Sequence, residues 1–187
     1  MVALAELWAP ILLSAFLVFV ASSVIHMALK YHNKEYRGFS NEDEVRAAIR
    51  KGNPAPGLYF VPYFADMKDC STPEAERKLT EGPIAHVTVS PSGKMNMGPQ
   101  LVQWFLFAVV VSVISAYMAS RTQASGTTYL SVFRIAGCTA FLAYGFAYIP
   151  TTIWFKRPWS ATLKDLFDAL VYGLITGGTF GWLWPRG

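Results

Sequence analysis

Two aspartates near the end of the chain are the first residues that could do chemistry. Asp165 and Asp168 are three residues apart, so they lie on one face of a helix. A carboxylate pair at the entrance of an apolar segment could relay protons or bind a cation in a small ion-coupled transporter. Acids in a first helical turn also complement the helix dipole, and Lys156, Arg157 and Lys164 are near enough in sequence to pair with them. The sequence leaves both interpretations open.

His26 is the only imidazole within an apolar segment, with Ser22 one turn before it and His32 beyond it. A histidine behind a small residue could ligate a haem or a chlorophyll-type pigment from one side, which would make the chain a pigment- or haem-binding membrane subunit. A haem with two histidine ligands would need a second histidine on a facing helix, and no other apolar segment contains one. The alternative is a hydrogen-bonded histidine at the membrane interface without a cofactor.

The remaining chemistry-bearing residues form no known motif. Cys70, His86, Met95 and Met97 are soft metal ligands, but no two of them have the spacing of a metal site, so we expect no metal. The chain contains no Ser-His-Asp order, HExxH, P-loop or GxGxxG pattern. The sequence therefore predicts a protein that is not an enzyme.

The composition places the elements that carry these residues in a lipid bilayer. Of 187 residues, 53% are hydrophobic and only 15% are charged, which is too apolar for an ordinary soluble domain. A helix needs about 20 apolar residues to cross a bilayer, and four segments are that long: 7–29, 101–120, 135–155 and 166–184. Glu6 precedes the first segment and no basic residue does, so we expect a retained helix instead of a cleaved signal peptide.

The basic residues indicate membrane topology and not nucleic-acid binding. The net charge is +4, but the stretch 30–100 holds 10 basic and 9 acidic residues and offers no basic face. With four crossings, seven basic residues flank the membrane on the side of the long connection, against three on the side of the termini. The seven are Lys30, Lys34, Arg37, Lys94, Lys156, Arg157 and Lys164, and the three are Arg121, Arg134 and Arg186. This bias predicts a cytoplasmic 30–100 and periplasmic termini.

The long connection should form a small α+β cytoplasmic insertion. Ser40 and the acids after it open a helix over 41–51, and Thr72-Pro73 opens a second short helix through Leu79. The runs 58–64 and 84–89 resemble strands. The predicted organisation is therefore a first transmembrane helix (1–29), a cytoplasmic cap segment (30–100) and a bundle of three further transmembrane helices (101–187).

Small residues repeat at helical spacing on three of the four segments. Such faces let helices approach closely in lipid, where no hydrophobic force drives them together. The repeats are Gly173, Gly177 and Gly181 in the fourth segment, Ala136, Ala140, Ala143 and Ala147 in the third, and Ala108, Ser112, Ala116 and Ser120 in the second. We expect the third segment to face the fourth, which leaves the face 108–120, Gly178 and the cap as candidates for external contacts.

These faces favour a non-catalytic accessory or scaffold subunit that packs with a larger membrane-protein partner or as a homo-oligomer. The ion-coupled transporter using Asp165 and Asp168 and the pigment- or haem-binding subunit using His26 are the alternatives. A transporter would need a polar path from Asp168 toward Thr176 and Thr179.

Four short runs carry a resemblance to a family of small bacterial four-helix inner-membrane proteins of unknown function. The runs are Val24-Ile-His-Met27, Gln103-Trp-Phe-Leu, Thr162-Leu-Lys-Asp-Leu-Phe-Asp168 and Gly177-Gly-Thr-Phe-Gly-Trp-Leu-Trp-Pro-Arg186. The likeness covers most of the chain. It implies a bacterial inner-membrane protein and assigns no activity or site residue.

Overall fold

A computed structural model describes residues 2–186. The chain divides into two compact units, one formed by Met1–Tyr36 with Asn96–Gly187 and the other by Arg37–Met95. In chain order the regular elements are α1 (Trp8–Ser23), α2 (Glu42–Lys51), β1 (Gly57–Val61), α3 (Pro73–Glu81), β2 (Ala85–Val89), α4 (Gly98–Thr122), α5 (Tyr129–Gly145), α6 (Tyr148–Phe155) and α7 (Trp159–Trp182).

Three helical segments are long and apolar enough to cross a membrane: Leu4–Leu29, Gly98–Thr122 and Tyr129–Phe155. They contain the first three segments predicted from the sequence. The fourth forms α7, a helix of 24 residues, but the structure does not place it among the apolar spans. Lys164, Asp165 and several glycines and threonines make α7 more polar than the other three.

The larger unit is a four-helix arrangement in which each long helix packs against two others. Helix α1 contacts α4 and α7, and α5 contacts the same two helices. Buried side chains form one cluster around Leu7, Val132 and Phe180 and another around Val18 and Val111. The core therefore runs along the space between the four helices.

Helices α5 and α7 approach so closely that their backbones touch. A Cβ added to Gly177 would lie 2.7 Å from the Phe133 carbonyl oxygen and 3.0 Å from the Gly137 Cα. A Cβ at Gly173 would lie 2.9 Å from the Gly137 carbonyl oxygen, and one at Gly181 would meet the Tyr129 ring at 2.7 Å. The third predicted segment thus faces the fourth, as the glycine repeat indicated.

The predicted alanine stripe on α5 needs correction. Ala136 and Ala140 are buried in clusters that hold side chains of both α4 and α7, whereas Phe133, Gly137 and Phe141 make the close contact with the α7 backbone. Ala143 and Ala147 are exposed. Ala147 leaves the stripe because α5 stops at Gly145 and Ala147 lies in the turn that follows, whereas Ala143 lies within α5 on an exposed face.

The small-residue face of α4 is internal, which corrects its assignment as an external candidate. Ala108, Ser112 and Ala116 are fully buried, and Ser120 is nearly so. The Ser14 hydroxyl of α1 donates a hydrogen bond to the Ser112 hydroxyl at 3.0 Å. Small side chains on both helices allow this contact, so α1 covers the α4 face.

The third apolar segment breaks between α5 and α6, just before Pro150. Proline lacks an N–H and would clash inside a helix, but it is tolerated in a first turn. The break places Pro150 in the first turn of α6. The Thr151 hydroxyl donates to the Ala147 carbonyl at 3.1 Å, which helps to satisfy the backbone at the break.

The smaller unit contains the two helices and two strands that the sequence predicted. Strands β1 and β2 pair antiparallel, from Gly57 opposite Val89 to Val61 opposite Ala85. Strand β1 ends directly before Pro62, which could not donate to the sheet. Helix α3 begins at a Thr72 N-cap, whose hydroxyl accepts the Ala75 N–H at 3.2 Å.

The backbone contact between α5 and α7 predicts a sharp difference between two neighbouring glycines. Gly177→Ala should destabilise the protein by about 1–3 kcal/mol, because the new methyl group overlaps backbone atoms that cannot move independently. Gly178→Ala is the matched control, since its Cβ would meet only the Tyr129 hydroxyl at 3.6 Å. Thermal unfolding in detergent measures both, and equal melting temperatures would contradict the packing described here.

Candidate metal centre

The segment that follows α1 brings two histidines together. Helix α1 continues into a π-helical turn, Val24–Leu29, and the chain then reverses at Lys30, whose φ is 51°. A 3-10 turn, Tyr31–Glu35, follows directly. As a result the His26 and His32 rings stack with their centroids 4.8 Å apart and their planes 3° from parallel.

Asp168 of α7 lies opposite this histidine pair and is only 4% exposed. Its Oδ1 accepts a hydrogen bond from the Tyr31 hydroxyl. Its Oδ2 lies 2.9 Å from His32 Nε2 and 4.0 Å from His26 Nε2. The same carboxylate oxygen thus faces both imidazoles. These three residues, His26, His32 and Asp168, could together hold one metal ion. We refer to this group of side chains as the metal cluster.

Hydrogen bonds at the other ring nitrogen orient both imidazoles. His26 Nδ1 lies 2.9 Å from the Ser22 carbonyl oxygen, and His32 Nδ1 lies 2.9 Å from Glu35 Oε1. Both partners are acceptors, so each Nδ1 carries the proton and donates. In the neutral rings Nε2 is then the free nitrogen, and it is the one nearest Asp168 Oδ2 in both histidines. Because the two rings are stacked in parallel planes, one of them must rotate before both Nε2 atoms can bind the same ion.

Glu35, which orients His32, is itself held by two cations. Lys164 Nζ lies 3.2 Å from Glu35 Oε1, and Arg157 Nη2 lies 3.5 Å from Oε2. Arg157 also pairs with Asp165, and Lys164 donates to the Tyr31 carbonyl at 2.8 Å. This network ties the turn after α1 to the start of α7. Its three carboxylates and two permanent cations leave a net charge of −1 when the histidines are neutral.

The environment of the network fixes the protonation of Tyr31 and Arg157. Burial raises the pKa of Tyr31, and the hydrogen bond and negative charge of Asp168 raise it further, so the phenol remains a donor to Asp168. Burial alone would lower the pKa of Arg157, but its contacts with Asp165 and Glu35 outweigh burial and raise it. Both groups keep their protons at neutral pH, and the two cations of the network, Arg157 and Lys164, are already engaged in ion pairs.

The ligand atoms of His26, His32 and Asp168 all lie within 4.8 Å of one another. In a tetrahedral site with bonds of about 2.0–2.1 Å, neighbouring ligand atoms lie about 3.4 Å apart. His32 Nε2 and Asp168 Oδ2 are 2.9 Å apart, closer than this spacing, whereas His26 Nε2 is 4.0 Å from the same oxygen. Metal binding would therefore require the first pair to open slightly and the His26 ring to move inward. The His26 side chain is 53% exposed, which leaves it room to do so.

A cavity of about 310 Å³ adjoins the metal cluster within the larger unit. His26 and Asp168 contribute to its lining on one side, and Trp104, Tyr144 and Tyr172 form aromatic walls. Trp104 donates its indole N–H to the Ser22 hydroxyl at 2.8 Å. A mainly apolar pocket with a few placed polar groups is typical of a small-molecule site.

Two hydroxyls in these walls are buried without a hydrogen-bond partner among the residues that the structure describes. Tyr144 is 6% exposed and Tyr172 is 4% exposed, and neither phenol oxygen is satisfied by another group among the described residues. Leaving a buried hydroxyl unpaired costs about 1–3 kcal/mol. Both phenol oxygens are themselves buried, so a molecule in the cavity meets the rings of these tyrosines and not their hydroxyls.

The structure sorts the candidate residues differently from the sequence. Asp165 and Asp168 share a face, but Asp165 pairs with Arg157 while only Asp168 faces the histidines. His26 lies at the cluster, and its partner is His32 on the following turn. Thr176 and Thr179 are buried and do not belong to the cavity lining, so this cavity does not form the path that a transporter would need.

The contributions of Tyr31, His32 and Glu35 were missed from the sequence. Positions 26 and 32 point in different directions on a straight helix, because six residues turn the chain by about 600°. The pairing depends on the π-helical turn and the reversal at Lys30. The available signal was the group of two histidines and a glutamate within ten residues of the end of an apolar segment.

Comparisons with protein-family models, with curated proteins and with solved structures found no match for this chain. The arrangement of its own residues is therefore the basis for a functional proposal.

The support that Glu35 gives to the cluster predicts a stability effect. Glu35→Gln should destabilise the protein by about 1–2 kcal/mol, because it removes the charge that Lys164 and Arg157 share in a largely buried place. Glu81→Gln is the control, since Glu81 pairs with Arg77 at a site where both side chains are about 60% exposed and such pairs contribute little. Thermal unfolding measures the stability of both variants. Equal losses of stability would contradict a supporting role for Glu35.

Proposed function

We propose that this protein is an integral membrane protein that binds a divalent transition-metal ion through His26, His32 and Asp168. The observation that carries the proposal is the convergence of two imidazole Nε2 atoms and one carboxylate oxygen, with both Nδ1 atoms already engaged. Metal-binding histidines commonly donate their second ring nitrogen to a carboxylate or a backbone carbonyl in this way. Glu35 and the Ser22 carbonyl supply those two partners.

The ligand set favours zinc-like ions over calcium or magnesium. Two imidazole nitrogens and one carboxylate suit Zn²⁺ and its neighbours, whereas Ca²⁺ and Mg²⁺ prefer oxygen ligands alone. Three protein ligands leave a fourth tetrahedral position open, as in zinc sites that act on a bound molecule. The cavity beside His26 and Asp168 supplies space at that position.

The other hypotheses have less support. The small-residue faces that motivated an accessory subunit are largely covered by neighbouring helices. Asp165 is held by Arg157, so a carrier using both aspartates would have to break that pair. A haem at His26 would have to displace Asp168, whose Oδ2 lies 4.0 Å from the free Nε2.

The proposal includes four membrane crossings, with α7 as the fourth. Its 24 residues extend about 36 Å at 1.5 Å per residue, longer than the hydrocarbon core of about 30 Å. It packs along α5 from the contact of Ala169 with Gly145 to that of Gly181 with Tyr129. Helices α5 and α6 together make up one apolar span. Because α7 packs along this span, it extends to the same depth in the bilayer.

The basic flanks then orient the protein in a bacterial inner membrane. Seven basic residues against three favour a cytoplasmic position for 30–100 and periplasmic termini. His32 and the start of α7 lie on the same side as Lys30 and Lys156. The metal cluster is therefore placed at the cytoplasmic end of the bundle.

Metal binding is tested with Zn²⁺ itself. The purified full chain in lipid nanodiscs should bind one Zn²⁺ per chain by calorimetry and by elemental analysis after dialysis. Asp168→Asn and His26→Gln should each weaken binding at least about 100-fold, and Glu35→Gln about 10-fold through the orientation of His32. His26 is half exposed, so His26→Gln should fold normally even if Asp168→Asn does not.

The matched control for metal binding is Asp165→Asn, one turn from Asp168 on the same helix. It should retain the Zn²⁺ affinity of the natural sequence, because Asp165 faces Arg157 and not the histidines. The proposal is contradicted if the natural chain binds no Zn²⁺, or if the His26→Gln and Asp165→Asn variants bind Zn²⁺ with equal affinity. Either result would mean that the cluster is only an ion-pair network that holds two helices together.

Topology is tested by the two cysteines. Cys138 lies in a membrane segment and is replaced by serine, which leaves Cys70 in the 30–100 insertion as the single thiol. A membrane-impermeant maleimide should label Cys70 only after the spheroplasts are lysed. In a second variant, Cys70 is also replaced by serine and Ser125→Cys introduces a thiol in the exposed connection between α4 and α5. This thiol should be labelled in intact spheroplasts. The reverse labelling pattern would indicate the opposite orientation in the membrane.

A further inference from the structure

A small apolar groove lies on the exposed surface of the larger unit, between α5 and α7. Its volume is about 140 Å³, below the range of pockets that enclose a small molecule. Only apolar atoms line it. It is bounded by Phe133, Gly137 and Phe141 of α5 and by Leu170, Gly173 and Leu174 of α7. We call it the α5–α7 groove.

The close contact of the two helices forms the floor of the groove. Gly137 and Gly173 are buried and have no side chain, so the backbones meet beneath it. Leu170 and Leu174 are 45% and 49% exposed and form the wall on α7. Because α5 belongs to a segment that can cross a membrane, the groove opens toward lipid, and an acyl chain has the shape and polarity to fill it.

Arg134 lies beside the groove and is the only charged residue of the apolar segment Tyr129–Phe155. Its side chain is exposed and forms no hydrogen bond or ion pair with the residues that the structure describes. Since the groove surface is apolar, Arg134 contributes its aliphatic stem, and the guanidinium lies beyond the lining. A charge within an apolar segment is unfavourable unless it reaches the headgroup level or pairs with an anion.

The charge and the groove follow each other in the order of a phospholipid. Arg134 is five residues, or about 7.5 Å of helix, from the start of the segment at Tyr129. The groove continues to Phe141, seven residues or about 10.5 Å further into the segment. A phospholipid has its phosphate at the membrane surface and its acyl chains in the hydrocarbon core. The groove therefore follows the path of an acyl chain whose phosphate lies at Arg134.

The surrounding charges favour an anionic headgroup. A guanidinium pairs with a phosphate through two parallel hydrogen bonds. Choline and ethanolamine headgroups carry a cation next to the phosphate, but neither Tyr129–Phe155 nor the facing part of α7, 169–186, contains an Asp or Glu to pair with it. That cation would meet only the charge of Arg134, so a headgroup without a cation is preferred.

We propose that the α5–α7 groove holds one acyl chain of an anionic phospholipid, with the lipid phosphate paired to Arg134. The inference goes beyond metal binding and does not rest on it, because the groove shares no residue with the metal cluster or with the cavity beside that cluster.

The test uses the thiol of Cys138, which is exposed and contributes to the groove. Cys70→Ser makes it the single thiol of the full chain. The delipidated chain in dodecyl maltoside micelles is titrated with phosphatidylglycerol or with phosphatidylcholine. Mass spectrometry follows the rate at which uncharged N-ethylmaleimide labels Cys138, because an acyl chain in the groove covers this thiol. Phosphatidylglycerol should give half of its protection at about one tenth of the mole fraction that phosphatidylcholine requires, as expected for one charge-assisted hydrogen bond.

Arg134→Gln should abolish this preference between the two lipids. The matched control is Arg121→Gln, which should keep the preference because Arg121 lies on α4 and does not contribute to the groove. Both arginines are exposed, so both variants should fold as the natural chain does. The two lipids are compared within each variant, so a change in thiol reactivity caused by the lost charge cancels.

Equal protection by the two lipids before Arg134 is replaced, or the same lipid preference in the Arg134→Gln and Arg121→Gln variants, would overturn the proposal. Zn²⁺ binding is measured at other residues and without added phosphatidylglycerol. A chain that binds Zn²⁺ but shows no lipid preference would therefore refute this inference alone.

Discussion

The larger unit is organised around one buried carboxylate at an end of an apolar helix bundle. Asp168 is almost inaccessible to solvent, and an ionised carboxylate in such a place is strongly unfavourable unless it is paired and hydrogen-bonded. Tyr31 donates to one of its oxygens, and His32 meets the other. Both residues come from the short turn after α1, so the carboxylate holds this turn against α7. The π-helical turn and the left-handed Lys30 are the local distortions that allow the chain to reach it. Strained and irregular backbone is commonly found where a site needs it.

The close approach of α5 and α7 provides the fixed frame for this carboxylate. Glycine contacts with the backbone leave no freedom to slide one helix along the other, because a shift by one residue would replace hydrogen atoms with side chains at the contact. The same interface sets the position of Tyr172 against Tyr144, since one lies on α7 and the other on α5. Packing in the middle of the bundle therefore determines the geometry of the cavity at its end. A binding constellation on rigid helices is held more precisely than one on loops alone.

Sequence reasoning succeeded where the pattern is local and failed where the fold departs from a regular helix. Three apolar spans, the glycine contact of the last two helices and the elements of the insertion follow from length, spacing and caps. Ala147 was misplaced because residue spacing cannot show that α5 ends at Gly145, and Ala143 lies within α5 on an exposed face. The relation between His26 and His32 was missed for a similar reason, since a straight helix would separate them. Four small residues on α4 indicated close packing correctly, but a repeat does not reveal whether its partner lies inside or outside the chain.

The distribution of polar groups along α7 separates a binding site from a conduction path. Asp165 and Asp168 in its first half and Tyr172 near its middle contribute to the cavity. Beyond them the helix presents Gly173 and Gly177 to α5 and buries Thr176, whose hydroxyl has no partner among the described residues. A hydrated path between α5 and α7 past this point would require the two helices to separate at their tightest contact. The packing therefore argues against conduction along this one interface.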